Sequence, residues 1–170
     1  MLSKKNILDK ESSNYLYKQI TSDTFPWFFL SNSALAGKKD DETFSWFHML
    51  YDNKSVNSSW YPLFELSIKK IIKSFKLKGD LLRVRIGLHT CMNKKITGTP
   101  HIDSLDKHKT ILYYFNDSDG DTVFYKNKKI IKRITPVLNS GICFDGSIYH
   151  SSSKPIKNIK RLVMNINICN

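Results

Sequence analysis

Pro100-His101-Ile102-Asp103 sets an imidazole and a carboxylate two residues apart. On extended backbone, residues i and i+2 point to the same face, so His101 and Asp103 can reach one point in space. His150, in Tyr149-His150-Ser151-Ser152, offers a second imidazole from a distant segment. Two imidazoles and one carboxylate on one side of an ion form the facial donor set that suits Fe(II) and leaves positions open for small ligands, although the same side chains accept zinc. An H-x-D pair alone is a weak signal in a chain with five histidines. Arg161 sharpens it. It opens the last apolar stretch, Arg161-Leu-Val-Met-Asn-Ile-Asn-Ile168, and a fixed guanidinium fork near a metal can hold the far carboxylate of a dicarboxylic co-substrate whose keto-acid end chelates the ion.

The other residues of these types have plainer readings. His48 lies in an aromatic run and reads as a packed histidine, His89 follows a strand at a turn, and His108, between Lys107 and Lys109, reads as solvated. Arg83 and Arg85 alternate, so they face inward or outward together, whereas Arg133 in a lysine-rich strand is expected at the surface. Cys91, Cys143 and Cys169 are odd in number and show no C-x-x-C pairing, so neither a disulfide framework nor a structural zinc site is suggested, and reduced thiols, two of them in the core, are expected.

These residues need a scaffold, and the chain changes character once to supply it. Before about Lys78 the signals are helical. A weak helix is expected around Ser12–Ile20, and a stronger one after Ser58 and Ser59, either of which could cap it, with Pro62 in the first turn. There Trp60, Leu63, Phe64, Ser67, Ile68, Ile71, Ile72 and Phe75 recur every three or four residues as an apolar stripe. Lys69, Lys70, Lys73 and Lys76 fall off the stripe, as on a solvated face. The aromatic runs Phe25–Leu30 and Phe44–Tyr51 either line a cleft or fill the seam between helices and sheet, and the seam is the simpler account.

From Leu81 onward short strand candidates follow quickly: 82–88, 101–103, 110–115, 122–126, 130–134, 141–144, 147–150 and 162–168. Asn116-Asp-Ser-Asp-Gly-Asp121 and Asp145-Gly146 separate them as turns. Many short strands with tight turns point to a sandwich or jelly roll. No repeat or linker divides the chain, and 170 residues suit one domain.

Charge and hydropathy bound the rest. A net charge of +12 suggests a phosphate-binding surface. The 27 basic residues are all lysine save Arg83, Arg85, Arg133 and Arg161, however, and Lys, Ile and Asn have codons of A and T alone, so an AT-rich genome would give the same balance. Composition therefore does not decide for nucleic acid. No apolar run is long enough to cross a bilayer or to follow Lys4 and Lys5 as a signal peptide, so a cytoplasmic protein with no membrane partner is expected.

H-x-D, then about 50 residues, then His, then about ten, then Arg resembles the 2-oxoglutarate/Fe(II)-dependent dioxygenase superfamily, and its prolyl-4-hydroxylase-like branch in particular. Thr110-Ile-Leu-Tyr-Tyr-Phe-Asn116 resembles the strand after the iron motif. Gly120-Asp-Thr-Val-Phe124 resembles the "GGxTxF" strand, and Ile134-Thr-Pro-Val137 with Gly141-Ile-Cys-Phe144 the stretches before the distal histidine. The likeness runs from about Leu81 to the end, with looser similarity at Phe25-Pro-Trp27 and the Trp60–Phe75 helix. It implies iron ligation by His101, Asp103 and His150, and 2-oxoglutarate binding by Arg161 with help from Thr122. Two departures stand out: Asp121 replaces the second glycine, and the family's tyrosine before H-x-D has no counterpart, for which Tyr114 is a substitute.

The resemblance also implies a mainly β (α+β) fold, a double-stranded β-helix (jelly roll) with N-terminal helices packed on one sheet. Residues 1–80 would be a helical support region and 81–170 the jelly-roll core, with the metal at one end of the barrel between the segments bearing His101 and His150. The expected function is Fe(II)- and 2-oxoglutarate-dependent hydroxylation with O2, ascorbate serving as reductant and succinate and carbon dioxide as co-products. A peptidyl proline or other amino-acid side chain in a protein is the expected substrate. The alternatives are a nucleic-acid or nucleotide-directed oxygenase, with aromatics such as Trp46 and Tyr51 as stacking platforms, and a non-catalytic basic nucleic-acid-binding module that retains the triad. The last would consume no 2-oxoglutarate and would lose its ligand steeply with salt.

Overall fold

The computed structural model describes residues 1–31 and 43–169. The elements run β1 (Leu2–Lys5), α1 (Lys10–Ile20), β2 (Phe28–Leu30), β3 (Ser45–Asp52), β4 (Ser55–Val56), α2 (Tyr61–Ser74), β5 (Leu81–Thr90), β6 (His108–Tyr114), β7 (Thr122–Lys126), β8 (Lys129–Ile134), β9 (Ser140–Asp145), β10 (His150–Ser152) and β11 (Lys160–Cys169). A large sheet has the order β1-β9-β6-β11-β5-β3-β2, with β4 paired to β3, and a small sheet has the order β10-β7-β8. All pairings are antiparallel. This is the mainly β arrangement of a jelly roll, two sheets face to face.

Alternation along β11 explains the layering. Leu162, Met164, Ile166 and Ile168 join Val84, Ile86, Ile111 and Tyr113 in one core cluster, together with Leu16 and Ile20 of α1 and Phe64, Ile68 and Ile71 of α2. The opposite face of the sheet gives Leu112, Tyr114, Ile142, Phe144 and Val163, which pack against Phe124 of the small sheet. Each face is apolar because each is covered, and full burial of a Leu, Ile or Phe side chain contributes about 1.5–3 kcal/mol. Between the sheets, however, β11 presents Arg161, Asn165 and Asn167, all buried, and that interruption of an apolar layer marks the site.

The N-terminal half departs from expectation in three ways. Residues before 81 form more than helical support: β1 adds to β9 and β3 to β5, so both ends of the large sheet are N-terminal. Helix α2 begins after Trp60, which has no side-chain cap; Ser58 accepts from the Trp60 N–H at 3.1 Å and binds His48 instead of capping the helix. Leu63, assigned to the buried stripe, is exposed, while Lys69, Lys70, Lys73 and Lys76 are indeed outside. In the small sheet, Asn127 and Lys128 take positive φ (50° and 62°) in the two-residue turn from β7 to β8, the backbone hand that matches strand twist in a tight hairpin.

Candidate metal and co-substrate site

His101 is not in a regular strand; the expected strand 101–103 is a single bridge. His101 and His150 exchange backbone hydrogen bonds in both directions, each 2.9 Å, and the chain then bends away. The bend lets Asp103 turn under β5 and β11. His150 likewise begins β10 where a strand over 147–150 was expected, because Asp145 binds the Ser147 N–H and hydroxyl to make a turn there. Ligand atoms of His101, Asp103 and His150 all lie within 4.8 Å of one another.

Each imidazole is held by its Nδ1, His101 on the Thr99 carbonyl at 3.0 Å and His150 on the Ile148 carbonyl at 3.1 Å. A carbonyl can only accept, so Nδ1 carries the proton and Nε2 keeps its lone pair, the tautomer a metal needs. The rings lie 4.9 Å apart, and Phe144 packs edge-on against His150 at 5.0 Å. Burial pushes the His150 pKa down to about 4 against the opposing pull of Asp103, so this imidazole is neutral at pH 7.

Asp103 is held by four donors. Arg83 Nη2 (2.8 Å) and Asn165 Nδ2 (3.0 Å) donate to Oδ1, and Asn167 Nδ2 (3.1 Å) and the Thr110 hydroxyl (3.2 Å) donate to Oδ2. Burial raises its pKa, but the neighbouring His150, the Arg83 guanidinium, His101 and the Asn165 hydrogen bond outweigh it and hold the carboxyl below the usual range. Oδ2 lies 3.6 Å from His150 Nε2. Two imidazole lone pairs and an oriented carboxylate fit a divalent ion of the Fe(II) or Zn(II) type.

Arg161 lies in the same cleft, whose walls include His89, His101, His150, Arg85, Trp46 and Val163. It is 1 % exposed. Its Nη1 donates to Ser152 Oγ and its Nη2 to Thr122 Oγ1, each at 3.0 Å, while Nε is buried without a partner. Thr122 Oγ1 also bonds the Tyr114 hydroxyl at 2.8 Å, and the guanidinium stands 5.8 Å from the Tyr114 ring centre. No carboxylate pairs with Arg161 among the described residues. A buried guanidinium without an anion is costly. His89, opposite Arg161 in the strand register, is buried, and burial and then Arg161 hold its pKa well below normal. Lys154, also buried, donates to the Phe44 carbonyl and stands 4.0 Å over that ring, and burial lowers its pKa to about 8.

The structure thus brings His101, Asp103 and His150 together and sets Arg161, Thr122 and Tyr114 in contact beside them. Asp121, at the position of the missing glycine, turns outward to Thr135 (2.9 Å) and Arg133 (3.7 Å). Arg83 and Arg85 take the inward orientation. The aromatic runs divide: Phe25 is in the core and Trp27 packs against it, whereas Trp46 and Phe47 line the cleft. His48 is packed, with Nδ1 2.7 Å from the Pro26 carbonyl and Nε2 2.7 Å from Ser58.

Three further sequence expectations fail. His89 lies within β5 instead of at a turn after it. His108 is buried rather than solvated, because Gly146, whose absent Cβ would come within 2.3 Å of the imidazole, leaves room for the ring beneath the turn. Only Cys143 of the three free cysteines is buried; Cys91 is exposed and Cys169 intermediate. Sequence reasoning also overlooked Thr110, Asn165 and Asn167 as the setting of Asp103. Asn165 and Asn167 did leave a signal, as amides two apart on one face of an otherwise apolar strand.

No protein-family model and no curated protein sequence matches the chain. Among solved structures it is similar to a 2OG-Fe(II) oxygenase family oxidoreductase from Burkholderia pseudomallei, with TM-score 0.69, 12% identity, and 96% of this chain and 81% of that one covered. A prolyl hydroxylase from Trichoplax adhaerens, in complex with a hypoxia inducible factor oxygen degradation domain peptide, gives 0.68 at 13% identity, covering 98% and 82%. The non-heme alpha ketoglutarate dependent epimerase SnoN from nogalamycin biosynthesis gives 0.63 at 11% identity, covering 98% and 76%. The fold of this chain is therefore the one shared by 2-oxoglutarate/Fe(II) oxygenases, prolyl hydroxylases among them.

Proposed function

We propose that the protein is a 2-oxoglutarate-dependent, Fe(II)-dependent hydroxylase. His101, Asp103 and His150 would hold the ion, and Arg161, steadied by Thr122 and Ser152 and flanked by Tyr114, would hold the distal carboxylate of 2-oxoglutarate. One observation carries this reading: a buried guanidinium with an unpartnered Nε lies in the same cleft as three converging metal-type ligand atoms. Bound Fe(II) supplies the redox chemistry that couples 2-oxoglutarate decarboxylation to oxidation of a substrate C–H bond. The overall balance is R–H + 2-oxoglutarate + O2 giving R–OH + succinate + CO2, one oxygen atom entering each of the first two products.

The protein's own work is positional. The Nδ1–carbonyl bonds aim both Nε2 lone pairs, four donors fix Asp103, and Arg161 sets the register of the co-substrate. Phe47, Leu112 and Val163 give the cleft an apolar wall. Three free cysteines suit a reducing setting; among the described residues no helix is long and apolar enough to cross a membrane.

The test is conversion of 2-oxoglutarate to succinate by the purified protein with Fe(II), O2 and ascorbate, with Asp103→Ala and Arg161→Ala as controls. Slow uncoupled turnover by wild type, lost in both variants, is the expected result. Absence of turnover, together with no rise in melting temperature on adding Fe(II) or 2-oxoglutarate, would overturn the reading.

A further inference from the structure

Arg85 faces the cleft that holds the triad, and no hydrogen bond or ion pair engages it among the described residues. Its neighbour Arg83 is committed to Asp103 and Asn167. The contact that places Arg85 is with the Phe47 ring, whose centre lies 5.9 Å from Cζ. Desolvation opposes its charge, and Arg83 adds like-charge repulsion. Asn165 stands opposite Arg85 in the β5–β11 register. Its Nδ2 donates to Asp103, but its Oδ1 is buried with no partner. A free donor fork and a free acceptor thus face each other within the cleft, and neither serves the fold.

Arg161 already accounts for the distal carboxylate of 2-oxoglutarate, and it pairs with His89 in the register. Arg85 lies four residues back along β5, roughly 13 Å away at the rise of a strand. The two arginines are therefore anchored at well-separated positions of the same cleft, and a diacid whose distal carboxylate is taken by Arg161 leaves Arg85 for another ligand.

We propose, building on the hydroxylase reading, that Arg85 binds the carboxylate of the primary substrate and that this substrate is a free α-amino acid with an apolar side chain. The single uncommitted fork matches a monoanionic carboxylate held bidentately. The Asn165 Oδ1 acceptor matches the adjacent ammonium. Phe47, Leu112 and Val163 supply an apolar wall for the carbon skeleton. A peptide bond in place of the carboxylate would leave the Arg85 charge buried and unmatched.

Two measurements test this. In the first, free apolar amino acids and their carboxamides are compared for stimulation of succinate formation by wild type. The acids should stimulate and the amides should not, and Arg85→Gln should raise the KM for the acid about 10- to 100-fold, the effect of losing a charge-assisted pair, with partial recovery in Arg85→Lys. In the second, metal-free protein is titrated with the same acids in a thermal-shift assay; wild type should be stabilised and Arg85→Gln should not. If wild type turns over 2-oxoglutarate alone but no free amino acid stimulates it, or acids and amides act alike, or a phosphate monoester replaces the acid, the proposal fails while the hydroxylase reading stands. If 2-oxoglutarate is not consumed at all, the hydroxylase reading fails first, and the thermal-shift result judges Arg85 separately.

Discussion

Replacing Arg83 by Met removes the strongest donor to a buried carboxylate without opening a large void. In the Arg83–Asp103 pair the guanidinium side chain is 18% exposed and the carboxylate 2%. Removing one partner of a fully buried pair costs about 3–5 kcal/mol. Here the cation is partly wet and Asn165, Asn167 and Thr110 still donate to Asp103, so the loss should be smaller, about 2–3 kcal/mol. For a chain of this length that is a fall in melting temperature of about 4–12 °C, or about 1 M in urea midpoint at a slope near 2 kcal/mol/M. The control is Lys69→Met, which breaks the Glu65 pair, 66% and 41% exposed, and should cost about 0–1 kcal/mol. Both variants are measured in chelator by calorimetry and by urea denaturation. An Arg83→Met loss no greater than that of Lys69→Met would refute the view that Asp103 is a buried charge stabilised chiefly by its setting.

Thr122→Val keeps the shape but removes the bonds to Arg161 and Tyr114; a cost of about 1–3 kcal/mol in stability is expected, with the 2-oxoglutarate concentration for half-maximal turnover raised about tenfold, read by denaturation and succinate assays. Gly120→Ala would bring a methyl group to 2.7 Å from the Ser153 carbonyl, 3.0 Å from Pro155 N and 3.1 Å from Arg161 Cδ. It should lose about 1–3 kcal/mol by overpacking and weaken co-substrate binding more than Thr122→Val does, since the guanidinium itself must shift. Lys154, lowered from 10.5 to about 8 by burial, binds fewer protons folded than unfolded within that window. Stability should therefore rise with pH through it, and denaturation at several pH values should find the wild type gaining on Lys154→Met as pH climbs from 8 towards 10.5.

Much of this site was legible because chemistry and periodicity coincided in it. H-x-D needs only two residues on one face, so His101 and Asp103 could be paired from the chain even though the segment proved to be a bend and not a strand. Arg161 stood out by opening the last apolar stretch, and Thr122 and Tyr114 came from family resemblance, but their contact depends on pairing across two sheets that one sequence does not encode locally. The Asp103 setting was harder to see. Arg83 was left open between inside and outside because alternation fixes parity, and only burial of the opposite face by α1 and α2 decides which parity points to the site. His108 was misread for a related reason: flanking lysines report on their own face, while the histidine between them points to the other, where Gly146 makes room. In the N-terminal half, Asn53 and Lys54, both at positive φ, form the β3–β4 turn, and without a glycine that hairpin carried little signal.

The paired backbone bonds between His101 and His150 have one more consequence. The two imidazoles are spaced by peptide hydrogen bonds, and Asp103 by a net of side-chain donors, so an incoming ion finds its ligands in place and has nothing to fold. Loading the metal should then slow the amide exchange of β5, β6 and β11 only by the common factor that global stabilisation brings, with no locally ordered segment added, and ions of similar radius should replace one another readily. Discrimination among them would fall to supply in the cell rather than to the architecture of the site.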